Sequence, residues 1–579
     1  MKTLIKITKL IIVVSIINLY FSSCENMMGN FLDKPPGVDV TEDTIFSNQI
    51  SAERFLMGIY REGMYSDMPE WSDRDGWDSD FKIGFSDEGK QVASWYNSVA
   101  YNNGNMTNTW NPLDSKWSWR WRALRAVNIF LDRIDDVPDA SQEYKNQAKG
   151  QAIFIRGMNY LELLKRYGGV PIIDRRLTNE DAQGEKIPRS TLEETVNFII
   201  KDAETAASLL PDSWPSQYSG KITKGAALML KARTFLYAAS PLSNTENPPL
   251  SLPDEDNKLI CYGNYDANRW KLAADAAKAV IDWAPGAGVR LLSGSERSYQ
   301  DTWEVPDNAE IILGPKMYVP LQGYWSSTFK SLNNFYLIQG GIMITQNFVE
   351  FYERKDGTPQ PWNRNGGNNL AEIYSNMDPR FKQSVAYNGS YWNVDFPELK
   401  FYVGGVADNQ PPRVDNKTGY WIRKWIPTIL TRNTQAYVNW HWARLAEAYL
   451  NYAEALNEYQ GPTADAYQAV NTIRNRVGMP NLPTGLNQAE FRDKVRRERA
   501  IELAFEDHRL WDLMRWRMAE QTLNAPMWGL KIYKLPEPSN EFRYEYYIFQ
   551  ERSWKTPMYR LPFNQNEVDK GYLVQNPGW

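Results

Sequence analysis

Glu498, Glu502 and Glu506 recur at every fourth position, among Phe491, Val495, Ile501, Leu503, Ala504 and Phe505 at near-helical spacing. Paired carboxylates can act as acid and base on a glycosidic bond. The same spacing sets them along one helix face whose apolar side should be buried, within reach of Arg side chains such as Arg499. Arg suits a buried carboxylate because its planar fork donates two hydrogen bonds at once. We therefore read Phe491 to Trp516 as a structural clasp and not as a catalytic centre. Asp507-His508 should interrupt the helix, since Asp tolerates the left-handed backbone of a cap. A second short helix, Arg509 to Arg517, then carries Leu510, Trp511, Leu513, Met514 and Trp516 into the core.

The aromatic residues offer a different chemistry, and 23 Trp with 33 Tyr are the outstanding excess of the composition. A flat ring presents an apolar face to the C–H side of a sugar at little entropic cost, and polar neighbours orient its hydroxyls. Two regions carry that mixture. One holds Trp71, Asp73, Arg74 and Trp77, followed by Trp95, Tyr96 and Asn97. The other holds Trp303, Tyr324 and Trp325, with Asn333, Asn334, Phe335 and Tyr336 behind them. The bland alternative is that such rings pack a core, and for Trp117 and Trp121 on a helix that reading is preferred. Asp78, Asp80, Asp87 and Glu88 lack the order of a calcium loop and read as a solvated acidic loop. With two Cys and two His (His441, His508) far apart, no zinc-type cluster is available. There is no GxSxG elbow, HExxH helix or phosphate-cradling Gly loop, so we expect neither an enzyme nor a cofactor. Net charge is only −5 with dispersed basic residues, which makes no stripe for nucleic acid.

These residues need elements to position them. Lys2, Lys6 and Lys9 precede an apolar run from Leu10 to Phe21 and then Ser22-Ser23-Cys24, the anatomy of a secretory signal. Residues 1–23 read as a lipoprotein signal peptide, with Cys24 acylated, and 24–50 as an extended tether. The apolar run is about half what a spanning helix needs, so the anchor is lipid. With Cys24 lipidated, Cys261 has no disulfide partner. Helices are expected over Ser51–Tyr65, Ser115–Ile134, Ser141–Tyr167, Thr191–Leu210, Lys221–Ala239 and Asn268–Trp283, then Trp440–Tyr459 and Thr463–Val477. Ser190 or Thr191 should cap one of them, with Glu193 or Glu194 in its first turn. Small residues and short turns point to stacked helix pairs like tetratricopeptide units. We divide the folded part into an N-terminal helical region, 51–284, with an aromatic loop over 66–114; an irregular lobe, 285–435, with short strands; and a C-terminal helical region with a wrapping tail, 436–579. The fold class is mainly α.

The run Arg496-Arg-Glu-Arg-Ala-Ile-Glu-Leu-Ala-Phe-Glu-Asp-His-Arg-Leu-Trp-Asp-Leu-Met-Arg-Trp516 resembles the signature of the SusD-like, RagB-type family of surface nutrient-binding lipoproteins. Phe31-Leu32-Asp33-Lys34-Pro35-Pro36, Arg166-Tyr167-Gly168-Gly169-Val170-Pro171, Arg444 to Glu458 and Gln575-Asn576-Pro577-Gly578-Trp579 are similar to further family segments, in the expected order. The family commonly has Gly where this chain has Asp507, a departure the turn tolerates. The resemblance implies an outer-membrane protein that captures oligosaccharide and delivers it to a SusC-like TonB-dependent transporter. Binding aromatics would come from the loop regions above. Peptide cargo, or a helical scaffold that binds protein, are the alternatives.

Overall fold

Small residues let the helices approach closely, and they set the architecture. In the computed structural model, residues 41–579 are described except 65–70, 73–75, 78–81, 92–95, 115, 179–180, 182–185, 319–341, 395, 406–416, 430–436 and 540. The N-terminal helices are α1 (Gln49–Gly63), α2 (Trp117–Arg133), α3 (Gln142–Tyr167), α4 (Leu192–Leu209), α5 (Lys224–Ala239) and α6 (Asn268–Trp283). Each packs on its neighbour in the chain. Ala203 and Ala206 of α4, Ala226 and Ala227 of α5, and Ala273 and Ala277 of α6 are buried at these contacts. At Gly225 a Cβ would fall 2.0 Å from the Trp283 ring, so α5 and α6 meet at a distance only glycine allows.

The caps follow the local sequence. Ser141 accepts from the Tyr144 amide at the start of α3, which stops at Gly168 with φ 82°. Thr191 and Glu194 form the reciprocal capping box of α4. The α5 start moves from the expected Lys221 to Lys224, because Thr223 supplies the cap by accepting from the Ala226 amide.

The strands, three of them between α1 and α2 and the others after α6, form short antiparallel ladders. Strands β1 (Trp71–Ser72) and β2 (Gly76–Trp77) pair with each other, and β3 (Gly89–Gln91) follows. Next come β4 (Ile311–Leu313), β5 (Lys316–Tyr318), β6 (Ile342–Ile344), helices α7 (Leu370–Asn376) and α8 (Pro379–Ser384), and β7 (Val385–Tyr387). Then come β8 (Tyr420–Ile422), β9 (Tyr437–Asn439) and β10 (Ala443–Arg444). Ladder β5–β9 and ladder β4–β10 close a neck, so the chain leaves the helical stack and re-enters it at one place. α9 (Leu445–Gln460) consequently packs on α6 across the whole excursion. The helix expected from Trp440 begins at Leu445, because residues 440–444 are drawn into this neck and are not helical.

The chain ends with α10 (Ala464–Asn475), α11 (Gln488–Glu502), α12 (Arg509–Arg515) and the hairpin β11 (Met527–Lys534) with β12 (Phe542–Gln550). That hairpin, the longest ladder among the described residues, was not legible in a tail expected simply to wrap the helices. No helix among the described residues is long and apolar enough to cross a membrane.

Candidate ligand-binding site

The clasp is a buried ion network. Helix α11 stops at Glu502, four residues before the expected end, because Phe505 and Asp507 take positive φ values of 64° and 61°. Glu506 therefore leaves the helix face and meets Arg444 from outside it. Arg444 Nε and Nη2 donate to Glu506 at 2.9 and 2.7 Å, while Nη1 donates to Glu502 at 2.6 Å and Glu310 at 2.8 Å. Arg380 bonds Glu498 at 2.5 Å and Glu502 at 3.0 Å, Arg474 bonds Glu498 at 2.9 Å, and Arg476 bonds both Glu310 and Glu502. Arg499, expected to meet Glu502 along the helix, instead donates to Asp512 at 2.7 Å and Asn451 at 2.6 Å. Burial raises the Glu502 carboxyl, but Arg476, Arg444 and Arg380 outweigh it and hold the group down at about 2. These carboxylates are consumed in ion pairs that rivet the lobe (Glu310, Arg380) to α9, α10 and α11.

Arg444 is the residue that sequence reasoning left without a role. It occupies the N-cap position of α9, where a cation opposes the helix dipole, and that mismatch was the available signal for nearby carboxylates. Arg380 and Arg476 gave no comparable cue.

The same turn grips the base of the N-terminal aromatic loop. Arg509 donates both Nε and Nη2 to Asp87 at 2.8 Å, the Phe505 amide donates to Glu88 at 2.8 Å, and the Lys82 amide donates to Asp507 at 2.9 Å. Arg552 bonds the carbonyls of Ser86 and Gly89. Asp87 and Glu88 are thus buried struts and not the solvated acidic loop expected from sequence. Among the described residues no cluster of His, Cys, Asp and Glu could hold a metal ion. Burial, helped by Asp87, pushes the Glu88 carboxyl up to about 8 against the Phe505 amide and Arg509.

That raised value has a measurable consequence. Between the free value of 4.5 and about 8, folded Glu88 keeps a proton that the unfolded chain has released. Stability contributed there falls as pH rises, by about 1.4 kcal/mol per unit for one group. Glu88→Gln keeps the hydrogen bond from Phe505, and should flatten the fall in unfolding midpoint between pH 5 and 8 relative to the unmodified protein. Asp507, pushed up to about 7 by burial, supplies the residual slope.

From this base, β3 runs antiparallel to β6, with Gly89 opposite Ile344 and Gln91 opposite Ile342. The Thr345 amide extends the contact to the Glu88 carbonyl at 3.0 Å. In sequence β3 lies four residues before Trp95, and β6 directly follows residues 319–341. In the β1–β2 ladder Trp71 lies opposite Trp77. Asn97 is half-buried at the first position of a short helix. Asp73, Arg74, Trp95, Tyr324, Trp325, Asn333, Asn334, Phe335, Tyr336 and Cys24 lie outside the described residues.

Two expectations of exposed rings are corrected. Tyr96 is 5% exposed, and Trp303 is 1% exposed within the main core, so neither offers a face to a ligand in this arrangement. Trp303 is turned inward because its helical turn is tied down on both sides: Asn308 donates to the Thr302 carbonyl, and His441 Nε2 lies 2.8 Å from the same oxygen. Trp117 and Trp121 pack edge-on against each other at 5.4 Å, and Trp117 meets Tyr167 and Phe563, as core rings should.

A stack of antiparallel helix pairs, bearing a lobe of short ladders closed by a neck, is a mainly α, tetratricopeptide-like architecture, with no closed barrel among the described residues. The sequence profile described as the SusD family matches residues 322–579, and that described as "Starch-binding associating with outer membrane" matches residues 30–236. SusD-like protein P25 of Formosa agariphila is 24% identical over 456 residues, covering 74% of this chain and 76% of that protein. A SusD-like protein from Bacteroides fragilis superposes with a TM-score of 0.76 at 27% identity, covering 94% of this chain and 100% of that one. A laminarin-binding SusD-like protein superposes with a TM-score of 0.61 at 20% identity, over 92% of this chain and 100% of that one. The chain belongs to the SusD/RagB family.

Proposed function

We propose that this protein is a lipid-anchored, cell-surface binding protein that captures oligosaccharide and hands it to a partner TonB-dependent outer-membrane transporter. The observation that carries the reading is the β3–β6 ladder, which pairs the segments next in sequence to the two aromatic-rich stretches and, through Asp87 and Glu88, is held to the buried clasp. Membership in a family described by starch binding and outer-membrane association supports it, as does the likeness to a laminarin-binding SusD-like protein. The mechanism is physical. Trp71, Trp77, Trp95, Tyr324 and Trp325 supply stacking faces, Asp73, Arg74 and Asn97 bond hydroxyls, and no covalent bond is made or broken. Rigid anchoring of the loop base keeps these groups pre-organised and lowers the ordering cost of binding. Lipid on Cys24 holds the protein at the membrane, where it acts as a lid on the transporter barrel, opening to load and closing to pass ligand inward.

Native affinity electrophoresis through gels containing single polysaccharides, starch and laminarin among them, tests the reading. One polysaccharide should retard the protein. Trp95→Ala or Trp325→Ala should weaken that interaction by about 2 kcal/mol, roughly thirtyfold, if either ring is a central contact. Folded protein that migrates unretarded through every gel would turn the reading towards peptide cargo or a protein scaffold.

A further inference from the structure

Two cavities outside the aromatic loops differ in what they can hold. One, of about 70 Å³ under the signature turn, is lined by Lys82, Glu162, Lys165, Arg233, Asp507 and Trp511. It falls well short of the roughly 300–1,000 Å³ typical of ligand sites, and Glu162 is paired with Lys165 and Arg233 with Glu447. The other is an open cleft of about 520 Å³ between α7, the turn after β7 and the start of β12.

The cleft has rigid aromatic walls. The Tyr387 ring is held by Tyr374 at 4.7 Å and Phe381 at 5.1 Å, and its hydroxyl has no hydrogen-bond partner among the described residues. Phe542 rests against Tyr402 at 5.4 Å. Asn388 lines the cleft and is 7% exposed; its Oδ1 accepts from the Phe401 amide at 2.9 Å, which leaves its Nδ2 without a hydrogen-bond partner among the described residues. Lys382, Glu372, Glu541 and Asn369 surround the opening, and among the described residues no ion pair engages Lys382. Burial, with Lys355 nearby, lowers the Lys382 ammonium. The charges sum to one negative, which disfavours an anionic ligand. Clamped rings with amide, hydroxyl, ammonium and carboxylate groups match the alternating C–H faces and hydroxyl edges of a neutral sugar.

The cleft is separate from the loops. Strand β12 runs from Phe542 in the cleft to Phe549, whose ring lies 5.8 Å from Lys90 Nζ on β3. Seven residues of strand separate the two by about 23 Å. We infer that this cleft is a second oligosaccharide-binding site, taking a neutral sugar chain; the inference rests on the reading that the cargo is glycan.

The test is acetylation of Lys382 in the purified full chain, followed by mass spectrometry, with maltohexaose, laminarihexaose, cellohexaose or mannohexaose. At least one should slow the labelling of Lys382 about tenfold at a concentration of about ten times Kd, with Lys271 unchanged. The protection should vanish in N369A/E372A/E541A, whose substitutions fall on exposed positions and leave the core intact. It should persist in W95A/W325A, which separates the cleft from the loops. Unchanged labelling with all four sugars overturns the inference, whatever the polysaccharide gels show. So does protection that is lost in W95A/W325A but kept in the cleft variant. Retardation absent in every gel while Lys382 is protected would sink the loop reading and leave the cleft.

Discussion

Arg444→Ala should destabilise the protein by about 3–5 kcal/mol, read as a lower unfolding midpoint and poorer accumulation of folded chain. Its guanidinium reaches Glu310, Glu502 and Glu506, all buried, and donates as well to the Glu502 carbonyl at 2.5 Å. Truncation leaves three carboxylates in a dry interior with fewer cations than they were built around. Arg476, Arg380 and Lys424 remain as partial partners, which keeps the loss within this range. Because Arg444 also sits on β10 opposite Ile311 of β4, the damage should concentrate at the neck of the lobe. Hydrogen exchange in residues 311–313 and 443–444 should rise before that of α3. Arg444→Lys keeps one charge but loses the fork, and should recover only part of the stability. A midpoint unchanged by Arg444→Ala would mean that the network is not what joins the lobe to the helices.

Breaking Asp87–Arg509 should cost about 3 kcal/mol for either single Ala substitution, with a double variant much less destabilised than the sum. The pair is bidentate, both bonds measure 2.8 Å, and both residues are buried. Removing one partner leaves the other as an uncompensated charge, while removing both leaves a smaller packing loss. The consequence for binding is specific. Asp87 belongs to the segment that leads into β3, so its release should raise hydrogen exchange across residues 82–91 while α3 to α6 keep their protection. Polysaccharide retardation should weaken in the same variants, because the loop then loses pre-organisation. Additive single effects would show that the two side chains do not act as a pair.

The helical stack was legible because each helix carries its own evidence. Periodicity, Thr191 as a cap, Gly168 as a stop and runs of Ala all act within a few residues of one another. The clasp was legible as a type, since Glu every fourth residue amid apolar neighbours has few meanings other than buried ion pairing. Its partners were not. Arg444 lies 58 residues from Glu502, and Arg380 lies 118 from Glu498, and no local spacing encodes such meetings. The spacing of Glu506 places it on the helix face, yet the positive φ of Phe505 turns it away to Arg444.

The candidate site divides in the same way. Composition alone selects residue types able to stack on sugar, but exposure depends on what packs above each ring. Trp303 has the right neighbours in sequence and is nonetheless enclosed by the core, whereas Asp87 and Glu88 look like a solvated loop and are buried struts. The β3–β6 ladder, which joins stretches about 250 residues apart, follows from edge hydrogen bonding between short strands too brief to show a period. Local signals thus determined the helices, their caps, the family and the class of chemistry. Partners, exposure and the pairing of β3 with β6 were settled by long-range packing, because burial and charge pairing act through space and not along the chain.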